Sequence, residues 1–244
     1  INIHSSFSNR TVILIVACLA YAFPATAGYL SKDKEGPPKM SVSGYFGTAT
    51  YAMTDLNALI EAGNEYVGTH LVDPIEGGTE YGFRLDAHIN QHWALGFSYT
   101  AFKAQTGYGP ESGSEYFVEI DARGNCFEVS LNYKHDLGPK FSWGVGAGID
   151  RIKADGHFKE DWGDGSVEYI YQGAGWGGAG RLTVEYKLHR AVFLWLEGGA
   201  RYAETDTVHQ GDWYWLAPDG EGLTFSYTGA FWHVGLRFSS HLLD

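Results

Sequence analysis

What most constrains this chain is the sizing of its connectors. Eight stretches of strand-like pattern follow one another between about residues 41 and 238. The gaps between them run long, short, long, short, long, short, long. The long ones are Thr54 to Gly78, Ala104 to Asn125, Ala154 to Gln172 and Glu204 to Gly222. The short ones are Asn90 to His92, the tight Asp136-Leu137-Gly138-Pro139, and the turn around His189-Arg190. If neighbouring strands are antiparallel, every tight turn lies at one end and every long loop at the other. A soluble sandwich has no reason to sort its loops in this way.

Within the stretches the residues alternate. In Tyr81 to Ile89 the odd positions are apolar and the even ones are polar or Gly. Trp93 to Thr100, Phe127 to Lys134 and Phe141 to Asp150 repeat the split. A period of two over eight to ten residues is a strand with two unlike faces. In Trp176 to Leu188, Trp176, Leu182, Val184 and Tyr186 oppose Arg181, Thr183 and Glu185. In the next stretch Val192, Leu194 and Leu196 oppose Glu197 and Arg201, with Phe193 and Trp195 on the polar side. The last ends Trp232-His233-Val234-Gly235-Leu236-Arg237-Phe238. Its earlier part, Phe225 and Tyr227, has opposite parity, which predicts a bulge near Gly229. The first stretch, Ser41 to Met53, shows no clear facing.

The size of the two faces separates a soluble fold from a membrane one. A soluble barrel packs its large residues inward. Here the polar face is also the small one, as in Ala94, Gly96 and Ser98 or Gly144, Gly146 and Gly148. An eight-stranded barrel has a narrow interior that large side chains overfill. Small residues inside and bulky apolar residues toward lipid match it, and tight periplasmic turns with long outer loops complete the pattern. Aromatics collect at both strand ends: Trp93, Tyr133, Phe141, Tyr186 and Phe238 by the short turns, and Tyr51, Tyr99, Phe102 and Tyr202 by the long loops. These read as interfacial girdles. The expectation is an all-β, eight-stranded antiparallel up-and-down transmembrane β-barrel over residues 41–238.

The segment before it reads as an address. Arg10 precedes the apolar run Val12 to Phe23; Pro24 and Ala25-Thr26-Ala27 follow. This is the form of a secretory signal peptide, residues 1–27, with cleavage after Ala27. A competing lipoprotein box, Ile15-Val16-Ala17-Cys18, would instead leave Cys18 as a lipidated terminus. Residues 28–40, with Pro37-Pro38, read as a periplasmic lead-in and 239–244 as a C-terminal tail. After the leader only Cys126 remains, so no intrachain disulfide or CxxC site forms. The net charge of −12, with no basic run, argues against nucleic acid as a partner.

With the leader, eight strands, four long loops and a closing Gly235-Leu236-Arg237-Phe238, the chain resembles the small outer-membrane barrels of the OmpA/OmpX type. The resemblance implies residence in the bacterial outer membrane. It also implies contact with its lipid and lipopolysaccharide, and insertion by the barrel-assembly machinery.

The candidate functional residues fall in two sets. Twelve polar residues face the barrel interior: Arg84, Asp86, His88, Glu128, Lys134, Asp150, Arg181, Glu185, Glu197, Arg201, His233 and Arg237. Buried charges must be paired or solvated, so these form either a plugging network or a narrow path for ions and small solutes. The loops are acidic and carry Trp162, Trp213 and Trp215, candidate contacts for an extracellular ligand. Strand extensions at Glu115 to Ile120 and Val167 to Tyr171 offer edges for β-augmentation. Asp55 to Ala62, capped by Asp55 and ended by Gly63, is expected to form one or two helical turns. No cofactor, metal site or catalytic motif is expected. Asp161-Trp162-Gly163-Asp164-Gly165 lacks calcium-loop spacing, and His157 with Glu160 and His209 with Asp212 read as polar loop residues. The leading reading is a non-catalytic barrel with a structural or surface-contact role; the alternative is a narrow, porin-like channel.

Overall fold

The computed structural model describes residues 40–108, 117–161, 165–189 and 191–239. The leader and lead-in through Lys39, Cys18 among them, lie outside the described residues, as do Glu115, Trp162 and residues 240–244.

Eight long strands close on themselves. They are β1 (Met40–Thr50), β2 (Gly77–His88), β3 (Trp93–Tyr108), β4 (Phe117–Asp136), β5 (Phe141–Asp161), β6 (Ser166–His189), β7 (Val192–Thr205) and β10 (Gly229–Ser239). Each pairs antiparallel with its neighbour in sequence; β7 passes to β10, and β10 pairs with β1 to close the ring. Closure leaves no unpaired edge in the membrane, where a free backbone amide would find no water. One helix, α1 (Thr54–Val67), and a two-residue hairpin, β8 (His209–Gln210) with β9 (Trp213–Tyr214), lie in the first and last long loops.

The alternation sets the facing. Ile149, Leu182 and Leu196 are well exposed on the outer wall, while Ser98, Ser130 and Asp150 on the opposite parity are buried. β1, ambiguous from its sequence, turns Ser41, Ser43 and Tyr45 inward and Phe46 outward. Glycine makes room inside: a Cβ on Gly146 would collide with Asn132 Oδ1, and one on Gly148 would meet the Glu128 carboxyl at under 3 Å. By the short turns, Trp93 meets Tyr133 edge-on and Phe141 meets Tyr186, forming the inner girdle. In the outer band Tyr99 lies between Phe83 and Phe127, and Tyr202 is exposed.

Four expectations are corrected. Tyr51 and Phe102 are not girdle residues; both are buried inside the barrel's outer end. The helix is longer than expected, 14 residues, with Gly63 inside it and Gly68 as its left-handed C-cap. Asp55 does not cap it, and instead accepts hydrogen bonds from the Thr224 amide (3.0 Å) and hydroxyl (2.7 Å). Packing of Leu56 and Ile60 on the barrel outweighs the poor helix propensity of Gly63. The bulge near Gly229 is absent: β10 pairs with β7 without a shift from Gly229 onward, the Glu204–Ser226 bridge before it keeps the same register, and the pairing with β1 runs unbroken from Phe231. Finally, the barrel runs from Met40, paired with Ala87, through Ser239, paired with Ser41.

Strands β4, β5 and β6 are 20, 21 and 24 residues long. A tilted crossing needs only about 9–11 residues, so their surplus forms a wall beyond the membrane. Phe117–Ile120 and Val167–Tyr171 belong to that extension.

The lipid-facing belt predicts a depth-dependent penalty. Leu182→Arg, on the outer wall with its side chain well exposed, should destabilise the folded barrel by about 2–4 kcal/mol, the cost of a cation near the bilayer midplane. Urea titration of the refolded protein in lipid vesicles measures this. Unchanged stability would mean that this wall does not face lipid.

Candidate functional site

The interior is built from rows of inward residues, and their charges meet across the lumen. Arg84 donates to both carboxylate oxygens of Glu197, at 2.7 and 2.9 Å. Arg201 donates to Glu80 Oε1 at 2.6 Å, with Nη2 3.4 Å from Oε2. Arg181 pairs with Glu128, and Arg237 grips Glu185, one contact at 2.5 Å. Lys134 Nζ also lies 2.8 Å from Glu185. His233 joins two of the pairs, with Nε2 2.7 Å from Glu80 and Nδ1 3.3 Å from Glu197. The planar guanidinium suits this work, because its fork matches a carboxylate in two places.

All twelve interior residues named from the sequence lie on inward parity. Asp150 is fully buried, 3.6 Å from Arg201 Nε. Asp86 accepts from Asn132 at 3.3 Å, and His88 lies 3.4 Å from Ser41 Oγ near the periplasmic mouth. Sequence reasoning missed Glu80, the hub that accepts from Tyr51 and Arg201 and touches His233. The signal was present, since Glu80 shares the parity of Arg84 and Asp86; placing the strand start at Tyr81 hid it.

Large residues complete the fill. Trp195 and Tyr45 meet edge-on at 5.6 Å, and Arg84 lies over the Trp195 ring. Above them Tyr51, Phe102 and Tyr227 form an aromatic triad, with ring centroids 4.3–6.2 Å apart. Tyr51 donates its hydroxyl proton to Glu80 at 3.0 Å, which ties the triad to the charged layer. Met53, Leu56, Leu223, Phe225 and Val208, contributed by the long loops, are buried over it. At the periplasmic mouth a cavity of about 50 Å³ lies among Asp86, His88, Lys134, Glu185 and Arg237. That is room for one or two waters, at about 30 Å³ each.

The loop tryptophans part company. Trp213 is 81% exposed at the tip of the β8–β9 hairpin. Trp215 is only half-buried in character as a contact, because it packs edge-on against Tyr169 and Tyr171 at 5.3 and 4.7 Å. His157 lies 3.1 Å from Glu168, and His209 Nδ1 lies 3.2 Å from the Gly211 carbonyl. Among the described residues no cluster of three metal-ligating side chains occurs.

No family model and no curated relative matches the chain. Solved structures do. The outer membrane protein OprG from Pseudomonas aeruginosa is 12% identical, covers 84% of this chain and 97% of its own, and superimposes with a TM-score of 0.51. Neisserial surface protein A is 16% identical over 84% of this chain and 99% of its own, with a TM-score of 0.48. The outer membrane protease OmpT from Escherichia coli is 10% identical over 85% and 99%, with a TM-score of 0.45.

The charged layer predicts a large cost for unpairing it. Glu197→Gln keeps the shape but leaves Arg84 and Arg181 without their shared carboxylate. It should lower stability by about 3–5 kcal/mol, as breaking a buried pair does, read as a shift in the urea midpoint of the refolded barrel. A change within error would mean that water, not Glu197, solvates Arg84. Closed ring, apolar wall, paired interior and the likeness to OprG together make this chain an eight-stranded β-barrel of the outer-membrane type.

Proposed function

We propose that the barrel is a closed, non-catalytic scaffold that presents its outer end for surface contact. The observation that carries this reading is the filling of the lumen at two successive levels. A layer of arginine–carboxylate pairs occupies the membrane zone, and the Tyr51–Phe102–Tyr227 triad roofs it under α1 and the last loop. Such a lumen favours a plug over an ion path, since an eight-stranded interior is just wide enough to be filled by side chains.

The outer end supplies a contact surface. Trp213 and Tyr214 are 81% and 70% exposed on the hairpin tip, and Leu216 follows at 59%. Large aromatic side chains held in water on a folded hairpin are the residue types that dominate binding energy when a partner desolvates them. Gly211, with φ 62°, allows the tight turn that lifts them. The ligand at the loops is thus read as a macromolecular surface, reached by aromatic contact rather than by a pocket.

Two measurements test this. In a planar lipid bilayer the refolded chain should give no discrete openings; reproducible unitary conductance would replace the scaffold with the porin-like channel. Trp213→Ala with Tyr214→Ala should weaken attachment of the barrel-bearing cell to host cells or matrix by about tenfold or more, with gel mobility before and after heating unchanged. Attachment unaffected by the pair would remove the surface-contact reading.

A further inference from the structure

The lysines and arginines are sorted by place. Among the described residues, five are inside the lumen or its mouth (Arg84, Lys134, Arg181, Arg201, Arg237) and two, Lys140 and Lys187, are at a periplasmic turn. The remaining five, Lys103, Arg123, Arg151, Lys153 and Lys159, all lie on the outward faces of β3, β4 and β5. In the described residues the first and last long loops have none, and neither do the outward faces of the other five long strands. A chain with net charge −12 therefore concentrates its outer cations on one flank.

Strand register gives that flank a height. Tyr99, Phe127, Arg151 and Trp176 form one cross-strand row, and Arg151 sits over the Trp176 ring at 5.0 Å. This row belongs to the outer aromatic band, whose rings mark the headgroup level. One row up, Lys153 pairs with Asn125; the next row holds Lys103 opposite Arg123. Diagonal neighbours on one face of a sheet are about 7–8 Å apart, so Arg123 and Lys153 can reach one phosphate together. The side chains of Lys103 and Arg123 are 44% and 57% exposed, and Lys153 is exposed. The acids facing them are Asp121, buried and paired with Arg123 and, at 3.8 Å, with Lys103; Glu119, on the same parity of β4; and Asp155, opposite Arg123 in register.

We infer that this flank is a docking surface for phosphorylated glycolipid of the outer leaflet, whose headgroup phosphates Lys103, Arg123, Arg151 and Lys153 receive. The position selects a lipid over a soluble anion. The cations stand directly above the aromatic row, where an acyl chain lies against Phe127, Val129 and Ile149 while its headgroup reaches Lys153. Contact needs no divalent cation here, because the protein supplies the positive charge itself; it rests on the barrel's place in the membrane and not on the loop-contact reading.

The test uses the full mature barrel refolded in neutral detergent, titrated with bisphosphorylated lipid A and with its enzymatically dephosphorylated form. Thermal stabilisation should be seen with the first and reduced at least tenfold in apparent affinity with the second, and raising the salt concentration should weaken it. Lys103→Gln with Lys153→Gln should reduce affinity for bisphosphorylated lipid A about tenfold. That pair leaves Arg123 to neutralise buried Asp121, and unchanged heat-modifiable gel mobility verifies folding. Lys140→Gln with Lys187→Gln, at the other end, should leave the affinity unchanged. Equal affinity for the dephosphorylated lipid, equal stabilisation by inorganic phosphate alone, or an unaltered Lys103→Gln/Lys153→Gln variant would each overturn the assignment. The attachment assay on Trp213 and Tyr214 is independent of all three.

Discussion

A ring of eight strands leaves an interior too narrow for bulk water, so each charge turned inward must find its partner in protein. That requirement organises the barrel. Glu197 and Glu80 each collect an arginine fork and one nitrogen of His233, so a single histidine ties two ion pairs into one layer. Such pairs are seldom more stabilising than well-packed apolar side chains. Their value here is in orientation. A strand apolar on both faces would sit in lipid either way round. One carrying Arg84 or Glu197 on a single parity has only one tolerable facing, and a one-residue slip would put every charge into the bilayer.

Above the membrane the same parity meets a different solvent. Outside the barrel is now water, and inside is a space closed by the long loops. The sorting rule therefore inverts: apolar residues turn inward and charged ones outward. Phe102, Tyr227 and Phe225 continue the inward rows of β3 and β10, while Lys103, Arg123 and Lys153 continue the outward rows that carry Phe97, Phe127 and Ile149 lower down. The strand does not change course. Its surroundings do. The aromatic roof and the basic flank are two sides of one transition from lipid to water.

That transition separates what could be read in the chain from what could not. In the membrane zone the period-two pattern has a fixed meaning, so the eight strands, their facing and twelve interior polar residues follow from residue type alone. Where the solvent changes, the reading fails in a characteristic way. The parity change between Tyr227 and Trp232 looked like an inserted residue, when the register is unbroken and the apolar side has swapped. Tyr51 and Phe102 looked interfacial because they lie near strand ends, yet loop closure buries them. The long α1 was understated because its stability comes from Leu56 and Ile60 docking on the barrel, a tertiary contact that Gly63 and a missing cap conceal. Glu80 was lost to a boundary drawn at Tyr81, although its parity marked it.

The division of charge also separates the barrel's two outward-looking surfaces. The interior charges are consumed in pairs, and the first and last loops carry Asp55, Glu61, Glu65, Asp212 and Asp219 with no lysine or arginine among their described residues. Those loops repel polyanions across roughly a Debye length, about 8 Å at physiological salt. On the surface-contact reading proposed above, a partner approaching the hairpin tip is held by the Trp213 and Tyr214 rings, with charge acting against any anionic competitor. Phosphorylated lipid meets the opposite field, but only from the side, at the height of Arg151 and Trp176. One chain can then hold its own lipid and leave its tip free, because the two contacts differ in sign, in height and in the chemistry that binds.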